Sequence, residues 1–208
     1  MTTKRRHRSC TVCVLTISYL VASLLLSSCI RDEMPPAVRQ QIRLGLIDGA
    51  DLPFGWGYRS GRPLEIVDGY SQSVGFHGAN PDQYTFVLVT QRLEIYPNES
   101  LSHGIYRTRV NELIPSAYAD VWVQPPEMED FQGGADEIQI TCMAVHINGI
   151  PTRSCQVIAR YGELVTTLFA NVFEDRWLTM SQFRKLVERL DQRMQAARAV
   201  TQISTPVP

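Results

Sequence analysis

The chain has 208 residues, with 20 Lys and Arg against 21 Asp and Glu and a formal charge of −1. Four of those cations lie in the first eight residues, so residues 29–208 carry 16 basic against 21 acidic side chains, about −5. That acidic balance argues against nucleic acid as a partner and against a polybasic grip on anionic lipid. A chain of this length fits one domain, which buries roughly 70% of its unfolded surface without needing a metal or a dense disulfide framework.

The first 28 residues read as a secretory signal. Lys4, Arg5, Arg6 and Arg8 form a cationic head. From Thr11 to Leu26 no charge appears, and Val12, Val14, Leu15, Ile17, Leu20, Val21 and Leu24 to Leu26 dominate. Small residues then lead to the exit. The uncharged stretch is shorter than the roughly 20 apolar residues that span a bilayer, and Thr11, Thr16, Ser18 and Ser23 dilute it. An uncleaved anchor with an incidental Cys29 is the other reading of the same residues. Every later apolar run is interrupted by charge within about ten residues, too short to span.

Leu26-Ser27-Ser28-Cys29 resembles the lipobox of bacterial lipoproteins: a branched apolar residue, two small ones, then cysteine. The resemblance implies that Cys29 becomes the first mature residue, acylated on its sulfur and its amine. Acyl chains add about 0.8 kcal/mol per buried methylene, enough to hold a soluble domain at a membrane. Ile30 is not the aspartate that retains some lipoproteins at an inner membrane, which hints at an outer leaflet.

Cys10 and Cys13 leave with the signal, and Cys29 is used for lipid. Cys142 and Cys155 remain, in "CMAVHINGIPTRSC". Asn148-Gly149 is a strong two-residue hairpin signal, because both turn positions need positive φ. Counting outward from that turn sets Cys142 opposite Cys155, in a non-hydrogen-bonded pair where side chains come closest. A disulfide there is expected, and it suits an oxidising envelope compartment. Its role is structural, since redox-active pairs favour Cys-x-x-Cys at a helix start.

In chain order, residues 29–35 read as a short lipidated tether of about 20 Å at full extension. Residues 36–200 read as a single domain. Pro36 to Gly45 is expected to form a helix with proline in its first turn. "DLPFGWGYRSGRP", residues 51–63, is turn-rich and aromatic. Strands are predicted over Glu65–Phe76 and Gln83–Tyr96, joined by the turn formers "HGANPD". Leu101, Ile105, Tyr106, Val110, Leu113 and Ile114 are spaced for a helix over Asn98–Ile114, which Pro115 stops. Residues 116–135, with Pro125-Pro126, Gly133-Gly134 and "EMED", read as a long loop or edge segment.

The 142/155 register pairs Ile138 with Ala159 and Ile140 with Val157, so the disulfide side looks inward. A second hairpin near Tyr161-Gly162-Glu163 leads into "LVTTLFANVF" and puts Leu164, Leu168, Ala170 and Val172 on the same inner face. A helix over Leu178–Ala197 carries a Thr179/Gln182 capping box, a Leu178/Phe183 staple and an apolar stripe of Phe183, Leu186, Val187, Leu190 and Met194. "TQISTPVP", residues 201–208, is expected to be a disordered tail.

These elements predict an α+β fold: one antiparallel sheet of about five to seven strands, with two or three helices packed mainly on one face. The pattern resembles the PsbP-type α/β sandwich. Asp51-Leu52-Pro53-Phe54-Gly55-Trp56 is similar to the Asp-Leu-Pro-Pro-Gly-Trp opening of envelope lipoproteins and sensor-like domains, with Phe54 in place of the second proline. Such domains are largely non-catalytic, so the resemblance implies a binding or interaction module.

The residues themselves show little catalytic patterning. His77, His103 and His146 stand outside any metal-ligand spacing, and no nucleophile elbow or phosphate-binding glycine loop occurs. Glu127, Glu129 and Asp130 lack the spacing of a calcium loop. No metal or cofactor is expected. Trp56, Tyr58, Tyr118 and Trp122 sit in irregular segments, where amphipathic aromatics suit contact with a ligand or partner, or else plug the ends of the core. The reading is a membrane-anchored extracytoplasmic binding module for an envelope protein, a peptide or a lipophilic small molecule. Two alternatives are an envelope hydrolase acting on wall or glycan material through converging carboxylates, and a structural subunit of a membrane complex.

Overall fold

The computed structural model describes residues 34–53, 56–61, 63–78, 87–113 and 121–204, without the side chains of 58–60, 87, 88 and 201–204. Residues 1–28, expected to be a signal, Cys29 and Tyr118 lie outside the described residues. From Pro36 onward the chain forms one compact unit. Its elements are α1 (Pro36–Gly45), β1 (Trp56–Ser60), β2 (Leu64–Ile66), β3 (Gly69–Gly78), β4 (Val87–Ile95) and α2 (Glu99–Leu113). Then come β5 (Glu137–Ile147), β6 (Ile150–Tyr161), β7 (Leu164–Phe173) and α3 (Met180–Ser204). All strands join one antiparallel sheet in the order β1-β3-β4-β7-β6-β5, with β2 also on β3.

The β5–β6 hairpin has the register that its turn dictates. Asn148 and Gly149 both take positive φ, 51° and 78°, and Cys142 stands opposite Cys155. The two sulfurs are bonded, with the Cα atoms 4.0 Å apart, close to the short spacing of a non-hydrogen-bonded pair. Cys142 turns its N–H and C=O away from β6, and both bond to Val123, which bridges the sheet edge there.

The inner face carries the main core. Val74, Phe76 and Leu93 join Cys142, Cys155, Val157, Leu164, Leu168 and Ala170 there, all buried. Against them α3 lays Phe183, Leu186, Val187, Leu190 and Met194, each at most 1% exposed. Burying side chains of this size contributes roughly 1.5–3 kcal/mol apiece. Thr179 caps the helix as its spacing predicts: its N–H donates to Gln182 Oε1 at 2.8 Å, and the Gln182 N–H donates to Thr179 Oγ1. Helix α1 packs beside α3 on this same face, and Gly45 is the contact point. A Cβ there would lie 2.8 Å from Leu93 Cδ2 and 3.3 Å from Ala197 Cβ.

The third helix is on the other side. Ile158 and Val165 alternate with the inner residues of β6 and β7, so they point outward, and α2 covers them with Tyr106. Two helices thus share one face and one helix covers part of the opposite face.

Three local expectations are corrected. Residues 51–63 are not all turn, because β1 forms within them and pairs with β3. Gly57 serves packing in that strand: a Cβ would lie 2.8 Å from His77 Cε1. The strand expected over Glu65–Phe76 is two strands, broken at Val67 and Asp68, where Asp68 takes a φ of 59°. Finally, α3 runs on to Ser204, so residues 201–204 of the expected tail are helical.

Candidate functional site

The outer face, where α2 leaves it, holds a cavity of about 420 Å3. Its floor is a cross-sheet row, since Gly75 pairs with Thr90 and Thr90 with Phe169. The next row supplies Ser73, Arg92 and Thr167, and α2 supplies Arg109, Glu112 and Leu113.

The electrostatic centre is Glu94, whose side chain is 1% exposed. Arg109 donates to it through Nε at 3.2 Å and Nη2 at 2.8 Å, and Arg92 Nη2 lies 2.8 Å away. Arg92 Nε also donates to Ser71 Oγ at 3.2 Å, and Arg109 Nη1 donates to Glu112 at 2.8 Å. The buried carboxylate therefore fixes two guanidiniums side by side at the cavity wall. The Glu94 hydrogen bonds raise the pKa of Arg109 further above its ordinary value. Burial, then the Glu94 charge, pushes the Tyr96 hydroxyl up to about 12.

A second concavity, of about 320 Å3, lies beside the β5 edge and is lined by Trp122, Gln124, Phe131, Gln139 and Thr141 over a floor of Met128. Of the aromatics singled out in the sequence, Trp122 is thus in a pocket wall. Trp56 opens β1, at the other edge of the sheet from β5, so one groove cannot hold both. Their segments share composition and not position, because four strands separate them.

The histidines stay apart. His77 lies against Gly57, His103 Nδ1 is 2.8 Å from Glu137 Oε2, and His146 is exposed near the β5 end. Glu127 pairs with Arg153 and Asp130 with Arg184. Among the described residues no three His, Cys, Asp or Glu side chains converge to hold a metal ion. Asp51, from the hexapeptide, is structural: with Asp48 it caps a short 3-10 turn, and Arg193 of α3 binds Asp51 at 2.7 Å and Asp48 at 2.6 Å.

A charged cluster at the Gly162 turn sets acid sensitivity. Asp136 accepts from the Gly162 N–H at 2.6 Å and from Arg198 at 3.0 Å, and Glu137 accepts from Arg160 at 2.6 Å. Burial alone would raise both carboxyls, but these donors outweigh it and hold both below their ordinary values of 3.8 and 4.5. A depressed carboxyl contributes stability that is fully present above its unfolded pKa and is lost as pH falls through its folded pKa. The urea midpoint is therefore expected to stay level from pH 7 to about 5 and to fall below about 4.5. An unchanged midpoint at pH 3 would refute this assignment.

Fold and site together define an α+β protein with one open antiparallel sheet, helices on both faces, a cavity on the outer face and a further concavity beside the β5 edge. Comparison of the chain with protein-family models, with curated proteins and with solved structures finds no match.

The Arg92–Glu94–Arg109 centre was absent from the sequence reading. Its signal was present in "TQRLEI", where two opposite charges two residues apart share one face of an otherwise apolar strand.

Proposed function

We propose that this protein is a lipid-anchored extracytoplasmic lipoprotein of a bacterial envelope, and that its domain binds small amphiphilic anions in the outer-face cavity. The observation that carries the binding reading is the pair of guanidiniums held by Glu94 beside the apolar wall of Phe169 and Leu113. Ligand clefts combine an apolar lining with a few fixed polar groups, and this volume falls within their range of about 300–1,000 Å3. Arg92 is the guanidinium open to solvent, with 43% of its side chain exposed, and can meet a carboxylate or phosphate edge-on.

The anchoring half of the reading rests on Leu26 to Cys29 and on a disulfide suited to an oxidising compartment. No helix among the described residues is long and apolar enough to cross a membrane. The test is to express the full chain in a lipoprotein-processing bacterium. The expected product begins at Cys29, carries acyl mass and sediments with membranes, and Cys29→Ser releases it. Native mass spectrometry of the acylated protein is expected to retain an anionic amphiphile, and Arg92→Gln to weaken its binding about tenfold. An unprocessed N-terminus would defeat the anchor, and equal binding by the Arg92 variant would defeat the site.

A further inference from the structure

The pocket beside the β5 edge has a different chemistry from the arginine cavity. We infer that it is a second binding site, one for a neutral polyhydroxylated ligand such as a segment of uncharged glycan. All the described side chains that line it are uncharged. Trp122 and Phe131 give it aromatic walls, and Gln124, Gln139 and Thr141 give it amide and hydroxyl groups. This combination suits a sugar ring: its polarised C–H bonds pack on an electron-rich aromatic face, and its hydroxyls pair with amides that both donate and accept.

An independent observation points the same way. Thr141, 6% exposed, and Gln156, 8% exposed, are directly opposite each other in the register. Thr141 Oγ1 and Gln156 Oε1 are both buried without a hydrogen-bond partner. A buried polar atom without a partner is costly and uncommon in a native fold. Two of them side by side, one lining the pocket, mark a place where hydroxyl groups from outside complete the network. Gln139, two residues along the same strand face, makes no side-chain hydrogen bond to another described residue, so a third polar group is available.

The backbone adds to this. Cys142 turns its N–H and C=O toward Val123 at the sheet edge. Strand alternation therefore turns those of Ile138 and Ile140 the same way, toward the pocket they line. Gln124 is fixed on the far side by its Nε2 donating to Met128 O at 3.1 Å. The pocket is thus neutral, aromatic and rich in unengaged hydrogen-bonding groups, where the arginine cavity is charged.

The test uses the full acylated protein in a polyoxyethylene detergent, which brings no sugar of its own. Neutral oligosaccharides (chitotetraose and cellotetraose) and an anionic one (tetragalacturonate) are titrated by calorimetry. Saturable binding of at least one neutral glycan is expected, weakened about fivefold by Thr141→Val, the scale of one net hydrogen bond. The same variant is expected to raise the thermal midpoint, because it removes a buried hydroxyl that the empty protein leaves unpaired. That opposition of tighter fold and weaker binding separates a ligand contact from a merely structural one. Trp122→Ala is expected to weaken binding at least tenfold. No neutral binding up to about 10 mM, binding of tetragalacturonate alone, or an affinity untouched by Thr141→Val would each overturn the inference.

Discussion

Replacing both Cys142 and Cys155 with alanine is expected to lower stability by about 3 kcal/mol, with a fall of roughly 6–12 °C in the unfolding midpoint. The bridge spans 13 positions, and closing a loop of that size removes about this much entropy from the unfolded chain. The sulfurs also fill the inner face, where Cys155 is 0% and Cys142 3% exposed, so loss of packing adds to the effect. The hairpin has its own turn and eleven paired positions. Residual hairpin in the unfolded state would bring the loss below the entropic figure. Urea unfolding of the oxidised protein, the reduced protein and the double variant decides the matter. Coincident midpoints would show that the bridge contributes nothing, and reduction in the folded state should be slow because both sulfurs are enclosed.

Glu94→Ala is expected to cost about 3–5 kcal/mol, the usual consequence of removing one partner from a buried ion pair. The carboxylate is enclosed, and Arg109 is held against it by two hydrogen bonds. Without Glu94, the two guanidiniums are left beside each other without the carboxylate that pairs them. Replacing Glu94 and Arg109 together with leucine should recover most of the loss, because the charges that lose a partner, Arg92 and Glu112, are both open to solvent. A double-mutant cycle over the two positions measures the coupling. A single-variant loss under 1 kcal/mol would mean that Glu94 does not organise the outer face. Ligand binding should weaken in Glu94→Gln even where the fold survives, since Arg92 loses the group that orients it.

Local rules were enough for much of the C-terminal half. Asn148-Gly149 sets a turn that only two positive-φ residues satisfy readily, and every pairing out to Glu137 and Arg160 follows from it by counting. The alternation of β6 and β7 names the inner face, and the stripe on α3 names what covers it. Thr179 and Gln182 mark where that helix begins, because capping is settled by residues three apart. The helix over Glu99–Leu113 was likewise visible in the spacing of its apolar residues.

Order across the sheet was not readable in this way. The β4–β7 pairing joins strands about 75 residues apart, and nothing local encodes it. It is won by burying Leu93, Leu168 and their neighbours on a shared face. That long-range pairing sends Trp56 and Trp122 to opposite edges, although similar composition had grouped them. Arg109 meets Glu94 because α2 folds back onto the outer face over Ile158 and Val165, and Thr141 faces Gln156 by the hairpin register while no other element supplies either with a partner. Turns, caps and strand parity depend on neighbours a few bonds away, so the amino-acid order fixes them directly. Pockets and ion clusters depend on which distant surfaces exclude water together, and only the folded sheet decides that.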